Sequence, residues 1–338
     1  MDRRTLLAAL PLAGLAGPAF AVEPVTPPRA MLPPLVDKPA LPWTIVASGL
    51  KFPEGPIAME DGSLLFVEIE RQTVSRLTPA GKVEVAAQVP GGPNGLAIGP
   101  DGAVYIANNG GRFTYAMRGG LNSPGGPPTG FTAAGKIQRL DLQTGQLTTV
   151  YEAVEGRPIV AADDLVFDRH GGLWISDIAV KPGDGAILYA PKIGAALTVA
   201  RGGLNGPNGI GVSPNGKLLH ISMGTNLYAF DIEAPGKLTT RSYPNDGVQA
   251  ALWQGSYADS LKLQADGKVC VCSLLRPGGI GIVDRAGHTK FLGFPDRWVC
   301  NLAFGGHDMR DAWIMLSGLG QIAKVRWPTA GQTPAFRV

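Results

Sequence analysis

The sequence predicts an all-β chain folded as a six-bladed β-propeller. Three observations carry that prediction: one β-unit recurs six times, its copies are spaced as four-stranded blades require, and long helical periodicity is nearly absent. Without a helix after each strand, α/β barrels and doubly wound sheets are excluded. The 338 residues are 45% apolar and 17% charged, with a net charge of +3, so a sizeable core can form. No basic stripe is present, which leaves a nucleic-acid partner without an electrostatic footprint. Three cysteines are too few for a disulfide framework.

Residues 1–21 read as an export signal. Arg3-Arg4 lead into an apolar stretch from Leu6 to Ala16, and Ala19-Phe20-Ala21 supplies a small-x-small cleavage pattern. The stretch is too short to span a bilayer, and Pro11, Gly14 and Gly17 interrupt it. The paired arginines favour the twin-arginine route over ordinary secretion, placing the protein in the periplasm or outside the cell. Residues 22–42 hold seven prolines, which remove amide donors and fix φ, so this stretch is expected to be an extended tether.

The propeller domain is expected over 43–338. Each unit opens on a polar residue, runs through an apolar strand, turns at Asp-Gly or its equivalent, and continues into a second strand. The openings are Glu54-Gly55, Asn94-Gly95, Asp163-Asp164, Asn208-Gly209 and Asp259-Ser260, each with its first residue eight positions before the turn glycine. A sixth copy, from Asn301-Leu302-Ala303, lacks that glycine. The leading residues lie 40, 69, 45, 51 and 42 apart, against about 40–50 residues for a four-stranded blade. The long interval contains a Gly- and Pro-rich insertion, 110–130, with Phe113, Tyr115, Met117 and Arg118, expected to be a lid over the channel or a surface loop. Trp43 to Leu50 reads as a strand that completes the sixth sheet and removes a free edge.

Inner strands of a propeller line its central channel, so the leading residues should gather there: Glu54, Asn94, Asp163, Asn208, Asp259 and Asn301. Asp and Asn at strand starts often serve only local turns. Six in register, three of them acids, point instead to a bound cation that offsets their burial and mutual repulsion. An all-oxygen set favours Ca²⁺, Mg²⁺ or Mn²⁺ over zinc, copper or iron. His170, His220, His288 and His307 show no ligand pattern. Cys270, Cys272 and Cys300 are expected to be core thiols, with Cys300 facing away from Asn301's side of the strand.

Phe52-Pro53-Glu54-Gly55-Pro56, Pro207-Asn208-Gly209, Asp163-Asp164-Leu165-Val166-Phe167-Asp168 and Ala258-Asp259-Ser260-Leu261 together resemble the gluconolactonase, senescence marker protein and luciferin-regenerating enzyme family of six-bladed propellers. The similarity spans about Ile45 to Trp327. It implies one divalent cation, Ca²⁺ foremost with Zn²⁺, Mg²⁺ or Mn²⁺ as alternatives, held by Glu54, Asn208 and Asp259. It also implies hydrolysis of a small lactone, with Asp259 as general base and Asp163 as its alternate, and Asn94, Asp163, Asn301 and Ser260 near substrate. Asp163 with Asp259-Ser260 is similar to the drug-responsive bacterial lactonase branch. Ala161 stands where sugar-lactone members keep a substrate-gripping arginine, and Arg297 is a candidate replacement. The competing readings are an exported binding propeller without catalysis and an arylesterase or strictosidine-synthase-like enzyme. No Gly-x-Ser-x-Gly elbow supports a serine nucleophile.

Overall fold

The computed structural model describes residues 41–132, 134–240, 248–251, 256–276 and 278–338. The expected export signal and all of the tether except Leu41 and Pro42 lie outside the described residues. Among the described residues every regular element is a strand, and no helix is long and apolar enough to cross a membrane.

Six antiparallel sheets surround one axis. The first blade is Pro53–Ala58, Leu64–Glu68, Thr73–Leu77 and Val83–Gln88, and the second is Pro93–Ile98, Val104–Asn108, Lys136–Leu140 and Leu147–Tyr151. The third is Ala162–Phe167, Leu173–Asp177, Gly185–Ala190 and Thr198–Leu204. The fourth, Pro207–Val212, Leu218–Met223, Asn226–Ala234 and Lys237–Thr240, carries a further strand, Val248–Ala251, paired with its third. The fifth is Ser256–Leu263, Val269–Leu275, Gly279–Val283 and Thr289–Gly293. The sixth takes Val299–Gly305, Asp311–Leu316 and Gln321–Arg326 from one end of the chain and Trp43–Ala47 from the other. Trp43 pairs with Val325 and Ala47 with Ile322, so the expected closing strand is present and covers the outer side of Gln321–Arg326.

The turns follow from local chemistry. Gly62, Gly102, Gly171, Gly216 and Gly267 all have positive φ, between 70° and 84°, a region closed to most side chains. The residue before each turn often fastens it: Asp61 Oδ1 accepts from the Ser63 amide at 2.9 Å, and Asp168 Oδ1 from the His170 amide at 2.9 Å.

One irregularity recurs in every inner strand. Between Pro93 and Leu96, three steps face only the two from Asn108 to Ile106 on the neighbouring strand. The same extra residue falls between Glu54 and Ile57, Ala162 and Leu165, Pro207 and Ile210, Ala258 and Leu261, and Val299 and Leu302. Each blade therefore has a β-bulge just where its opening motif sits. A bulge breaks the strict alternation of faces and re-aims a side chain. The residue that follows the opening one then meets the next blade. A Cβ on Gly209 would lie 2.5 Å from the Leu261 amide nitrogen and 2.6 Å from the Ser260 carbonyl carbon, atoms of the fifth blade's backbone. Gly209→Ala must therefore push two blades apart beside the axis. It is expected to cost about 1–3 kcal/mol, read as a lower melting temperature, whereas an unchanged melt would mean that the blades do not pack this closely.

Apolar clusters fill the spaces between neighbouring sheets. Between the fifth and sixth blades they include Cys270, Cys272, Leu302, Ile314 and Trp327, all at most 2% exposed. After the sixth blade the chain crosses the far end of the channel. There Gln332 donates through its amide to Leu263 O at 2.8 Å and through Nε2 to Val212 O at 3.1 Å, and Phe336 meets Phe167 with centroids 6.0 Å apart.

Candidate active site

The bulges deliver their side chains to a cavity of about 300 Å³ at the end of the channel where the inner strands begin. Glu54, Asn94, Asp163, Asn208 and Asp259 line it, as the repeat predicts. The sixth position is different. Val299 pairs with Leu316 before the bulge as Ala258 pairs with Ser273, so the residue equivalent to Asp259 is Cys300. Cys300 lines the cavity and Asn301 does not. The expectation that Cys300 faces away, with Asn301 inward near substrate, is thus corrected. Strict alternation fails at a bulge, and the missing turn glycine removes the landmark from which the register is counted. Ser260, in the corresponding second place of its bulge, is likewise buried and outside the lining.

Asn301 instead supports the site from behind, its Nδ2 donating to Glu54 Oε2 at 2.7 Å. The Gly55 amide also donates to that oxygen. Asn94 Nδ2 donates to Asp163 Oδ1, which joins the second and third blades. Asp259 is hydrogen-bonded by the side chains of Cys300 and Asn208. The Ser222 hydroxyl, donating to Asp259 O at 2.5 Å and accepting from the Gly209 amide at 2.8 Å, ties the two bulges together.

The three acids are at most 9% exposed. Burial raises the Glu54 carboxyl to about 7, against the bond from Asn301 and with the help of the Asp164 charge. Burial, then the charges of Glu54 and Asp164, push Asp163 well above the usual range, while Arg112 opposes. Asp259 is raised by burial and by the charges of Glu54 and Asp163. Such a trio holds its negative charge poorly without a cation among it.

Ligand atoms of Glu54, Asp259 and Cys300 lie within 4.8 Å of one another. Asn208 lines the same cavity, and its Oδ1 is buried and accepts no hydrogen bond. A buried acceptor without a donor is costly, and converging carboxylates with an orphaned carbonyl oxygen are the donor set of one divalent ion. These residues fit such an ion.

The insertion forms the roof. Its hairpin, Tyr115–Arg118 with Leu121–Pro124, rests on three other blades. Arg112 Nε donates to Ala179 O of the third blade at 2.8 Å. The Asn122 amide donates to Gly318 O at 2.8 Å, and Trp298 Nε1 to Ser123 Oγ at 3.2 Å, both in the sixth. Asn122 Nδ2 reaches Glu70 Oε2 of the first at 2.7 Å. Arg112, Phe113, Tyr115 and Pro124 line the cavity, whereas Met117 is 69% exposed. The exposed Arg297 is outside the lining, and Arg112 is the arginine that faces Asp163. Its signal was its place at the start of the insertion, directly after Asn108-Asn109. Tyr257, Trp298 and Leu274 complete an aromatic and aliphatic wall that no repeat position announces.

A second cavity, of about 440 Å³, lies at the opposite end under the crossing segment. The residues three beyond the bulge openings, Ile57, Ala97, Val166, Gly211, Lys262 and Ala303, line it. They are apolar except for Lys262, whose Nζ stands 3.9 Å from Asp164 Oδ2.

Residues 52–318 match the SMP-30/gluconolactonase/LRE-like region. A gluconolactonase of Zymomonas mobilis subsp. mobilis is 23% identical over 324 residues, covering 86% of this chain and 82% of that protein. A gluconolactonase structure from Xanthomonas campestris aligns with a TM-score of 0.69 at 18% identity, over 89% of this chain and 99% of that one. Regucalcin of Agrobacterium tumefaciens, described as a calcium-binding protein, aligns at 0.67 and 17% identity, over 88% and 98% of the two chains. The repeat, the closed ring of six blades and the match over most of the domain place this chain in the SMP-30/gluconolactonase/LRE-like family.

Proposed function

We propose that the protein is an exported, metal-dependent hydrolase that opens a lactone ring. The observation that carries this reading is the convergence of Glu54, Asn208 and Asp259 in one roofed cavity, with Asn208 Oδ1 left without a donor. Family membership supports it, and the name of the Zymomonas relative points to the same chemistry. Export rests on Arg3-Arg4 and the apolar stretch behind them.

A divalent cation on Glu54, Asn208 and Asp259 would polarise the lactone carbonyl and stabilise the oxyanion. Asp259 takes the proton of the attacking water. Asp163, held by Asn94, is the alternate acceptor. Asn94 orients water or substrate from the same wall. Arg112 meets the carboxylate released when the ring opens, because it is the cation that faces Asp163 across the cavity. Phe52, Phe113, Tyr115, Leu274 and Trp298 exclude bulk water and suit a ring with apolar substituents better than a polyhydroxylated one.

The test is a lactone panel assayed with the full mature protein. Opening is expected to be lost on chelation and restored by a divalent ion, with apolar γ- and δ-lactones and dihydrocoumarin turned over faster than gluconolactone. Hydrolysis of aryl esters but no lactone would assign a different reaction to the site, and lactone opening that survives chelation would remove the ion from it.

A further inference from the structure

We infer that Cys300 is a fourth protein ligand of the cation and that its sulfur makes this site prefer zinc over calcium. The inference rests on the metal site proposed above and deepens it. The bulge between Val299 and Leu302 puts Cys300, not its neighbour, in the cavity beside Asp259. Its sulfur belongs to a group with Glu54 and Asp259 whose donor atoms all lie within 4.8 Å of one another. Asn208 of the fourth blade lines the same cavity, and its unpartnered Oδ1 is the further donor available to the ion. Asp163 lies outside that group, and its Oδ1 accepts from Asn94, so the donors are one oxygen each from Glu54, Asn208 and Asp259 and one sulfur.

That count and that chemistry separate the two ions. Zn²⁺ binds thiolate readily, needs only three or four protein ligands, and can expand to five-coordinate when a substrate oxygen joins. Ca²⁺ takes six to eight oxygens, and a thiol offers it nothing. Cys270 and Cys272 lie outside the cavity lining, and all three thiols are free, so Cys300 is not withheld by a disulfide. On binding, the thiol proton leaves to water and the sulfur enters as thiolate, so each zinc bound by this cysteine releases one proton.

Full-length mature protein loaded with Co²⁺ is expected to show a near-ultraviolet thiolate-to-cobalt absorption band. Cys300→Ser should abolish the band while Cys272→Ser keeps it. Competition binding should give a zinc-over-calcium preference that falls about 100-fold or more in Cys300→Ser. Cobalt bound without the band, or an unchanged preference, overturns the assignment but leaves the hydrolase reading intact. A protein that binds no divalent ion, and opens lactones regardless of chelator, overturns both. Should Cys300→Ser fail to fold, ¹¹³Cd NMR of the unaltered protein decides. A strongly downfield resonance supports sulfur ligation, and one in the range of all-oxygen sites refutes it.

Discussion

Asp259→Asn is expected to lower kcat for lactone opening by about 10²- to 10⁴-fold, the range for loss of a general base. The carboxamide keeps the shape of the side chain and can still offer an oxygen to the ion, but it cannot accept the proton of water. Steady-state kinetics at saturating ion, beside a circular dichroism spectrum, measure the effect. Retention of more than about a tenth of the activity would take the role of base from Asp259, and the matching loss in Asp163→Asn would show where it went. Stability should move the other way. Burial and the charges of Glu54 and Asp163 raise Asp259 above its ordinary value. A carboxyl raised in the folded state costs stability at every pH above its unfolded pKa of about 4. In chelated protein at neutral pH the amide variant should therefore melt higher than the parent, and the gain should vanish as the pH drops below about 4.

Removing residues 1–47 is expected to lower the melting temperature by about 5–15 °C, whereas removing residues 1–40 should leave it unchanged. The closing strand covers Gln321–Arg326, whose Ile322, Ala323 and Val325 are at most 1% exposed. Without it those side chains meet water and the sheet gains a row of unpaired amides and carbonyls. Thermal melts of the two truncations at one ion concentration make the comparison. Equal melting temperatures would show that the ring holds without its clasp. Because Trp43 pairs with Val325, the sixth sheet forms only when nearly the whole domain is available, a topology that slows folding.

Much of this architecture is legible in the residues. At five turns the glycine of Asp-Gly, or of Asn-Gly or His-Gly in its place, takes a positive φ, so the turn could be counted from it five times, and eight residues back each time stood the side chain that enters the cavity. The sixth copy has no such landmark, and there counting chose Asn301 one residue too late. The argument that alternate residues face opposite sides then misplaced Cys300, because a bulge sits at that point and a bulge leaves no trace in the pattern of apolar and polar residues. Ser260 and Asn301 were drawn toward the site by their polarity, whereas each stands in the bulge's second place, where Gly95 and Gly209 meet the following blade. Lys262 could not be signalled at all, and Arg112 only by its place in the insertion, for another reason. Each acts through a contact with a distant part of the chain, Asp164 in one case and Asp163 with Ala179 in the other, and no local spacing encodes such a meeting.

The roof has an implication for how such a protein can change. Glu54, Asn94, Asp163, Asn208, Asp259 and Cys300 come from six different strands, and altering any one disturbs two neighbouring blades. Arg112, Phe113, Tyr115 and Pro124 all come from a single excursion of the second blade. Reactivity is thereby distributed over the whole ring, while selectivity is written in one contiguous stretch. Transplanting that stretch between relatives would exchange the molecules admitted without rebuilding the machinery beneath.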